Sequence, residues 1–186
     1  DCTGHGVPGA MISVICNNGL NRSVREHGLT DPGKILDKTR EIVIQEFSKS
    51  EEEVTDGMDI SLCSIEGNKL QWAGANNPLW IIRKGELIET LPNRQPIGEY
   101  PFTTPFLTHE ITLETNDLLY LFSDGFQDQF GGNKGKKYKV KNLKYLLTSI
   151  SNNPLREQQV MLDMAFNEWK VDLEQIDDVC ILGIKI

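Results

Sequence analysis

The stretch DLLYLFSDGFQDQFGG, residues 117–132, decides how this chain folds. Its apolar run 118–122 is almost continuous and breaks off at Ser123-Asp124-Gly125, the pattern of a strand buried on both faces that ends in a turn. A carboxylate at such a strand end is held by rigid backbone and can be aimed. A Ser-Asp-Gly triplet alone also reads as a turn or a helix cap. Two further acidic positions change that weighting: Asp1 opens DCTGHGVPGA, and Asp177 and Asp178 lead into a second apolar run in IDDVCILGI. Carboxylates at the ends of buried strands are the donors that hard divalent cations take. Two such cations about 3.5–4 Å apart can hold a bridging hydroxide and clamp a phosphoryl oxygen.

Outward from this stretch the pattern alternates between helical and extended segments. After the Gly-rich turn at the start, Ala10, Met11, Val14, Ile15 and Leu20 line one helical face between about Pro8 and Arg25. Asp31-Pro32 has the form of an N-cap with Pro at the first helical position, and Ile35, Leu36, Ile42, Val43 and Phe47 continue as an amphipathic helix. The run Glu51-Glu52-Glu53 reads as a solvated loop. From Met58 onward the runs ISLCSI, KLQWAGA, LWIIRK and LIETL, joined at Glu66-Gly67-Asn68 and Lys84-Gly85-Glu86, predict a strand meander. HEITL and the 118–122 run follow. The Gly- and Lys-rich segment 131–139 is expected to be a mobile loop, and helices are expected over 141–149 and 156–169 before a final strand VCILGIKI. Helices, then mainly antiparallel strands, then helices and a strand indicate a layered α+β domain.

With 39% hydrophobic residues in 186, the chain fits one globular domain able to bury its own core. A net charge of −8 and a sequence pI near 4.9 argue against non-specific binding to nucleic acid or to an anionic membrane, both of which need a basic face. No apolar run reaches the roughly 20 residues that span a bilayer. The four cysteines include no CxxC pair and are too sparse for a disulfide framework, so reduced thiols and a cytoplasmic domain are expected. The chain opens with Asp rather than Met on what reads as the last residue of a strand, so a preceding segment is expected.

Taken together, DCTGHGVPGA, GANNPLW, LFSDGFQDQFGG and DDVCILGI resemble the metal-dependent type 2C protein phosphatases, specifically their bacterial SpoIIE-type branch. The motifs span nearly the whole chain in the family's order. The resemblance implies a four-layer α/β/β/α sandwich, here lacking its N-terminal strand segment, over a single domain 1–186. It implies two Mn²⁺ or Mg²⁺ ions, with Asp1 bridging them, the backbone carbonyl of Cys2 adding a donor, Asp124 and Asp177 as direct ligands and Asp178 beside them. A water activated by these ions would hydrolyse phosphoserine or phosphothreonine without a phosphoenzyme. The implied substrate is a phosphorylated switch protein of the anti-sigma-factor-antagonist kind, with regulation by a sensor domain upstream in the parent chain. The parent could be membrane-tethered, and a homodimer is compatible with the family. Two departures stand out. An upstream acidic ligand in a Gly-Asp-rich strand is expected to be missing, leaving the metal site incomplete. Where eukaryotic relatives carry a histidine two residues after the bridging aspartate, this chain has Thr3, with His5 two further on, in either a proton-transfer or a helix-start role.

Two other readings compete. A non-catalytic phosphoprotein-binding or signal-relay module would keep the fold without the chemistry; the presence of Asp1, Asp124 and Asp177 favours the enzyme. Cys16, Gly19 and Arg22 in VICNNGLNRSV have the CxxGxxR spacing of cysteine-dependent phosphatases, in which a thiolate attacks phosphorus. That reading needs a strand before Cys16, whereas the apolar spacing also suits a helix that would bury Cys16 as a small hydrophobe. Trp72 and Trp80 are expected in the core or on a sheet surface, and Trp169 beneath the final strand. Lys134, Lys136, Lys137, Lys139 and Lys141 read as a solvated loop that could also attract an acidic partner.

Overall fold

In the computed structural model, which describes residues 1–4, 6–48 and 56–186, the elements run α1 (Gly6–Arg25), α2 (Pro32–Phe47), β1 (Ile60–Glu66), β2 (Lys69–Ala75), β3 (Leu79–Arg83), β4 (Glu86–Thr90), β5 (His109–Thr112), β6 (Leu118–Phe122), α3 (Gly125–Asp128), β7 (Phe130–Gly131), β8 (Lys136–Lys137), α4 (Val140–Ile150), α5 (Leu155–Lys170) and β9 (Ile181–Lys185). His5 and the run Glu51-Glu52-Glu53 lie outside the described residues. Among those described, no helix is long and apolar enough to cross a membrane. Contacts divide the chain into two compact units, Asp1–Pro78 with Leu91–Leu113, and Leu79–Thr90 with Glu114–Ile186.

In the first unit, α1 and α2 pack on each other and α2 packs on a three-stranded antiparallel sheet of order β1-β2-β5. Asp31 caps α2 as its sequence predicts, accepting from the Lys34 backbone N–H at 3.0 Å with Pro32 in the first turn. The two helices approach closely because Gly19 faces Thr39 and Val43, where an added Cβ would lie 3.3 Å from the Thr39 methyl. Ser23 Oγ and Thr39 Oγ1 lie 3.1 Å apart in that interface, and their hydroxyls also reach the backbone carbonyls of Gly19 and Ile35, so no buried hydroxyl is left unpaired there. Cys16, Leu36, Val43, Ala73 and Ile97 form the core. Each fully buried Leu, Ile or Val in such a cluster contributes about 1.5–3 kcal/mol.

The second unit is a four-stranded antiparallel sheet of order β4-β3-β6-β9 with α4 and α5 packed against it. Trp80, Ile82, Leu118, Tyr120 and Phe122 point to one core with Leu143, Leu147 and Phe166 from the helices. Leu119, on the opposite side of the pleat from Tyr120, is also fully buried, so β6 has the two-sided burial its apolar run implies.

Three expectations are corrected by this topology. The strands from Met58 are not one meander: β1-β2 and β3-β4 are hairpins in separate sheets, and the outer neighbours of β2 and β3 are the later strands β5 and β6. Segment 131–139 is not only a loop, since Phe130–Gly131 and Lys136–Lys137 pair as a short hairpin. Trp169 packs on that hairpin, over Gly131, Gly132 and Tyr138, with its Nε1 donating to the Gln129 carbonyl at 3.0 Å, rather than beneath the final strand. Its partners are two glycines and a tyrosine more than 30 residues earlier, which no local pattern could supply.

Asp117, at the start of β6, is 1% exposed and accepts from Arg83 Nε at 2.9 Å, Arg83 Nη2 at 2.6 Å and the Glu114 backbone at 2.8 Å. Arg83 holds its carboxyl below the ordinary carboxylate range. A depressed folded pKa means that this pair stabilises the fold fully above about pH 4, and that the stabilisation is lost as pH falls through the lower folded value. Asp117→Ala is expected to cost about 3 kcal/mol at pH 7 and to flatten the acid limb of a urea-unfolding series. An unchanged acid limb would show that Asp117 does not set it.

Candidate active site

The first unit holds Asp1 by its backbone. Its carbonyl accepts from the Asp59 N–H at 2.7 Å, Cys2 bridges Met58, and the Thr3 N–H donates to the Gly57 carbonyl at 2.9 Å, so residues 1–3 lie antiparallel to 57–59. Thr3 is fixed twice, because its hydroxyl also accepts from the Gly57 N–H at 3.1 Å. Gly4 has φ +84, and a Cβ on Gly9 would come within 2.7 Å of the Gly4 carbonyl, so the opening turn rests directly on the first turn of α1. This close approach is what the glycines in DCTGHGVPGA permit. Beside Asp1 lies Asp59, a carboxylate that the sequence reading missed. Burial raises its carboxyl, and the Asn76 amide, donating at 2.8 Å, draws it back. The signal was present in Asp56-Gly57-Met58-Asp59 ahead of β1, but one acidic residue before a strand is common.

In the second unit, β6 ends and β9 begins side by side, because the strands are antiparallel with Phe122 opposite Ile181. Ser123 fastens them: its N–H donates to the Cys180 carbonyl at 3.0 Å, its hydroxyl to the Asp178 carbonyl at 2.8 Å, and the same Oγ accepts from the Cys180 N–H at 2.9 Å. Gly125 is required by the same contact, since a Cβ there would run into the Asp178 carbonyl. Asp124 is the N-cap residue of the one-turn helix α3, yet its side chain makes no capping bond. Its carboxylate is therefore not explained as a cap. Asp177 accepts from the Asp178 N–H at 2.7 Å, which orients it, and Asp178 itself contributes backbone to the Ser123 clasp. Carboxylate oxygens of Asp124 and Asp177 come within 4.8 Å of each other. Two oxygens bound to one divalent ion at 2.0–2.6 Å can be no more than about 4–5 Å apart, so a separation within 4.8 Å is compatible with a shared ion, and the all-oxygen donor set suits Mg²⁺ or Mn²⁺.

The thiol alternative fails on geometry. Cys16 lies inside α1, fully buried in the core, and a helix leaves no loop of amides to hold phosphate. A hydrogen bond to Cys2, and then burial, push its thiol up, which keeps it protonated at neutral pH. Arg22 is turned to Glu26 at 3.2 Å and Glu46 at 3.6 Å. Of the other residues singled out from sequence, His5 lies outside the described residues.

The whole chain matches the PP2C domain of SiaA from Pseudomonas aeruginosa with a TM-score of 0.90 at 28% identity, covering 100% of this chain and 73% of that one. It matches the PP2C phosphatase domain of SpoIIE from Bacillus subtilis, solved with a fragment of its regulatory domain, at a TM-score of 0.72 and 15% identity, over 100% of this chain and 51% of that one. The catalytic domain of the serine/threonine phosphatase PstP, solved with two manganese ions, matches at a TM-score of 0.67 and 13% identity, over 98% of this chain and 84% of that one. No curated protein matches the sequence. The fold is that of the PP2C-type phosphatase domains, the class its motifs predicted. The family model for stage II sporulation protein E (SpoIIE) matches residues 1–186, and the chain belongs to that family.

Proposed function

We propose that this domain hydrolyses phosphoserine or phosphothreonine on a signalling protein, using two Mn²⁺ or Mg²⁺ ions held by Asp1, the Cys2 carbonyl, Asp124 and Asp177. The observation that carries this reading is the Asp124–Asp177 pair, two carboxylates fixed on adjacent strand ends by the Ser123 clasp in a chain of the SpoIIE family. Bound there, the ions supply a water of lowered pKa and neutralise phosphoryl oxygens. The chain's own part is positional: Gly125 lets the two strand ends touch, Ser123 ties them, and the Asp178 N–H orients Asp177. The substrate in this reading is a phosphorylated switch protein. Control falls to regulatory modules like the one solved in part with the B. subtilis domain.

Chelation separates this reading from its rivals, because a metal-activated water needs cations and a thiolate does not. Hydrolysis of a phosphoserine peptide is expected to vanish in EDTA, return with Mn²⁺ and persist in Cys16→Ser. Activity that is indifferent to chelation, or no activity at any metal concentration alongside tight phosphoprotein binding, would overturn it in favour of a thiol enzyme or a binding module respectively.

A further inference from the structure

Between Asp128 and Glu157 the chain carries Lys134, Lys136, Lys137, Lys139, Lys141, Lys144 and Arg156 and no acidic residue, although its net charge is −8. The β7–β8 hairpin and the residues after it display the first five of these lysines, and this segment is anchored. Gly131 abuts the Trp169 carbonyl, and a Cβ added to Gly132 would lie 3.0 Å from the Trp169 ring. Tyr138 packs edge-on against both Trp169 and Phe126, with ring centroids 5.2 and 5.1 Å away, and its N–H donates to the Gln129 carbonyl at 3.0 Å.

The anchoring sets the lysines beside the phosphatase site. Lys137 Nζ is 2.7 Å from Asp128 Oδ2, and the Lys139 N–H donates to the Gln127 carbonyl at 2.7 Å. Both partners belong to α3, the four-residue helix that begins directly after Asp124, and one helical turn is only about 5–6 Å long. Lys139 holds φ +78, a region that Gly or Asn enters far more readily than Lys. Lys134, Lys136, Lys139 and Lys141 have no ion-pair partner among the described residues, and all four are exposed in a stretch without acidic neighbours in sequence.

We propose that this anchored lysine hairpin is a substrate-docking surface that selects phosphoproteins with acidic residues flanking the phosphorylated Ser or Thr. Phosphate and flanking carboxylates are the groups that a cluster of ammonium ions attracts, and on an otherwise acidic domain the cluster steers such a segment to the α3 end of the site while the remaining surface repels it. The proposal rests on the phosphatase reading for what happens to the docked phosphate, and its test keeps the two apart.

The test compares the wild-type protein with the triple variant Lys134→Ala, Lys136→Ala, Lys139→Asn and with a triple Arg variant at the same positions; none of these residues is assigned to the metal site. A phosphoserine peptide with acidic flanks, a basic-flanked counterpart and p-nitrophenyl phosphate serve as substrates. A fluorescent phosphonate analogue of the acidic peptide reports binding by anisotropy without turnover. The neutral variant is expected to raise KM for the acidic peptide about tenfold with kcat little changed, to leave p-nitrophenyl phosphate kinetics as in wild type, and to weaken the phosphonate peptide by a similar factor. Binding to wild type should fall with added salt, and the Arg variant should restore it. Equal phosphonate affinity in wild type and the neutral variant, or equal preference for acidic and basic peptides, overturns the docking proposal. Absent turnover of every substrate with intact, lysine-dependent phosphonate binding would overturn the phosphatase reading alone.

Discussion

Asp124→Asn is expected to lower Mn²⁺-dependent hydrolysis of a phosphoserine peptide by well over 100-fold while the protein remains folded. The substitution keeps the size and shape of the side chain and removes only its charge, and a neutral amide oxygen is a poor donor to a hard divalent cation. Changes that act one step removed from a metal cost about 10–100-fold, so a direct ligand should exceed that range. The Asp124 side chain makes no capping bond to α3, and the backbone link from Asp128 to the Asp124 carbonyl is untouched by the substitution. Mn²⁺ titration by calorimetry should show weakened binding, and urea unfolding should show little change. Near-normal turnover in this variant would end the assignment of Asp124.

The second large effect falls on Gly125→Ala, where one methyl group is enough. Its Cβ would collide with the Asp178 carbonyl, which already accepts from Ser123, and would sit 3.3 Å from the Asp177 Cβ. Backbone cannot swing aside as a long side chain can, so either α3 or the start of β9 must move. Overpacking of this kind costs about 1–3 kcal/mol, and a displacement near 1 Å between the two carboxylates can cost about 100-fold in rate. Stability and turnover should therefore fall together, unlike Asp124→Asn, which separates them. A Gly125→Ala protein with wild-type unfolding midpoint and kcat would show that the strand ends yield without disturbing Asp177.

Most of the elements were legible in the chain because their signals are local. Asp31-Pro32 set the start of α2, the 118–122 run identified the doubly buried β6, and KLQWAGA matches β2 residue for residue. Strand partners were not legible. Hairpins announce themselves through Gly67 and Gly85, both at positive φ, but whether β2 goes on to pair with β3 or with β5, some 35 residues later, depends on which apolar faces meet. The anchoring of the lysine hairpin by Trp169 and the buried Arg83–Asp117 pair are hidden for the same reason, since each joins residues more than 30 positions apart.

The sequence by itself determined the periodicities, the turns and the placing of Asp124 and Asp177 against apolar runs, and those motifs in their order carried the family resemblance. Only the tertiary structure decided that β6 and β9 are antiparallel neighbours whose ends bring these carboxylates within 4.8 Å, that Ser123 ties them, that Asp59 stands beside Asp1, and that Cys16 is core rather than nucleophile. The physical reason is the range of the forces involved. Propensity and capping act over a few residues and can be read along the chain, whereas side-chain burial and carboxylate proximity depend on distances that exist only after distant segments have packed.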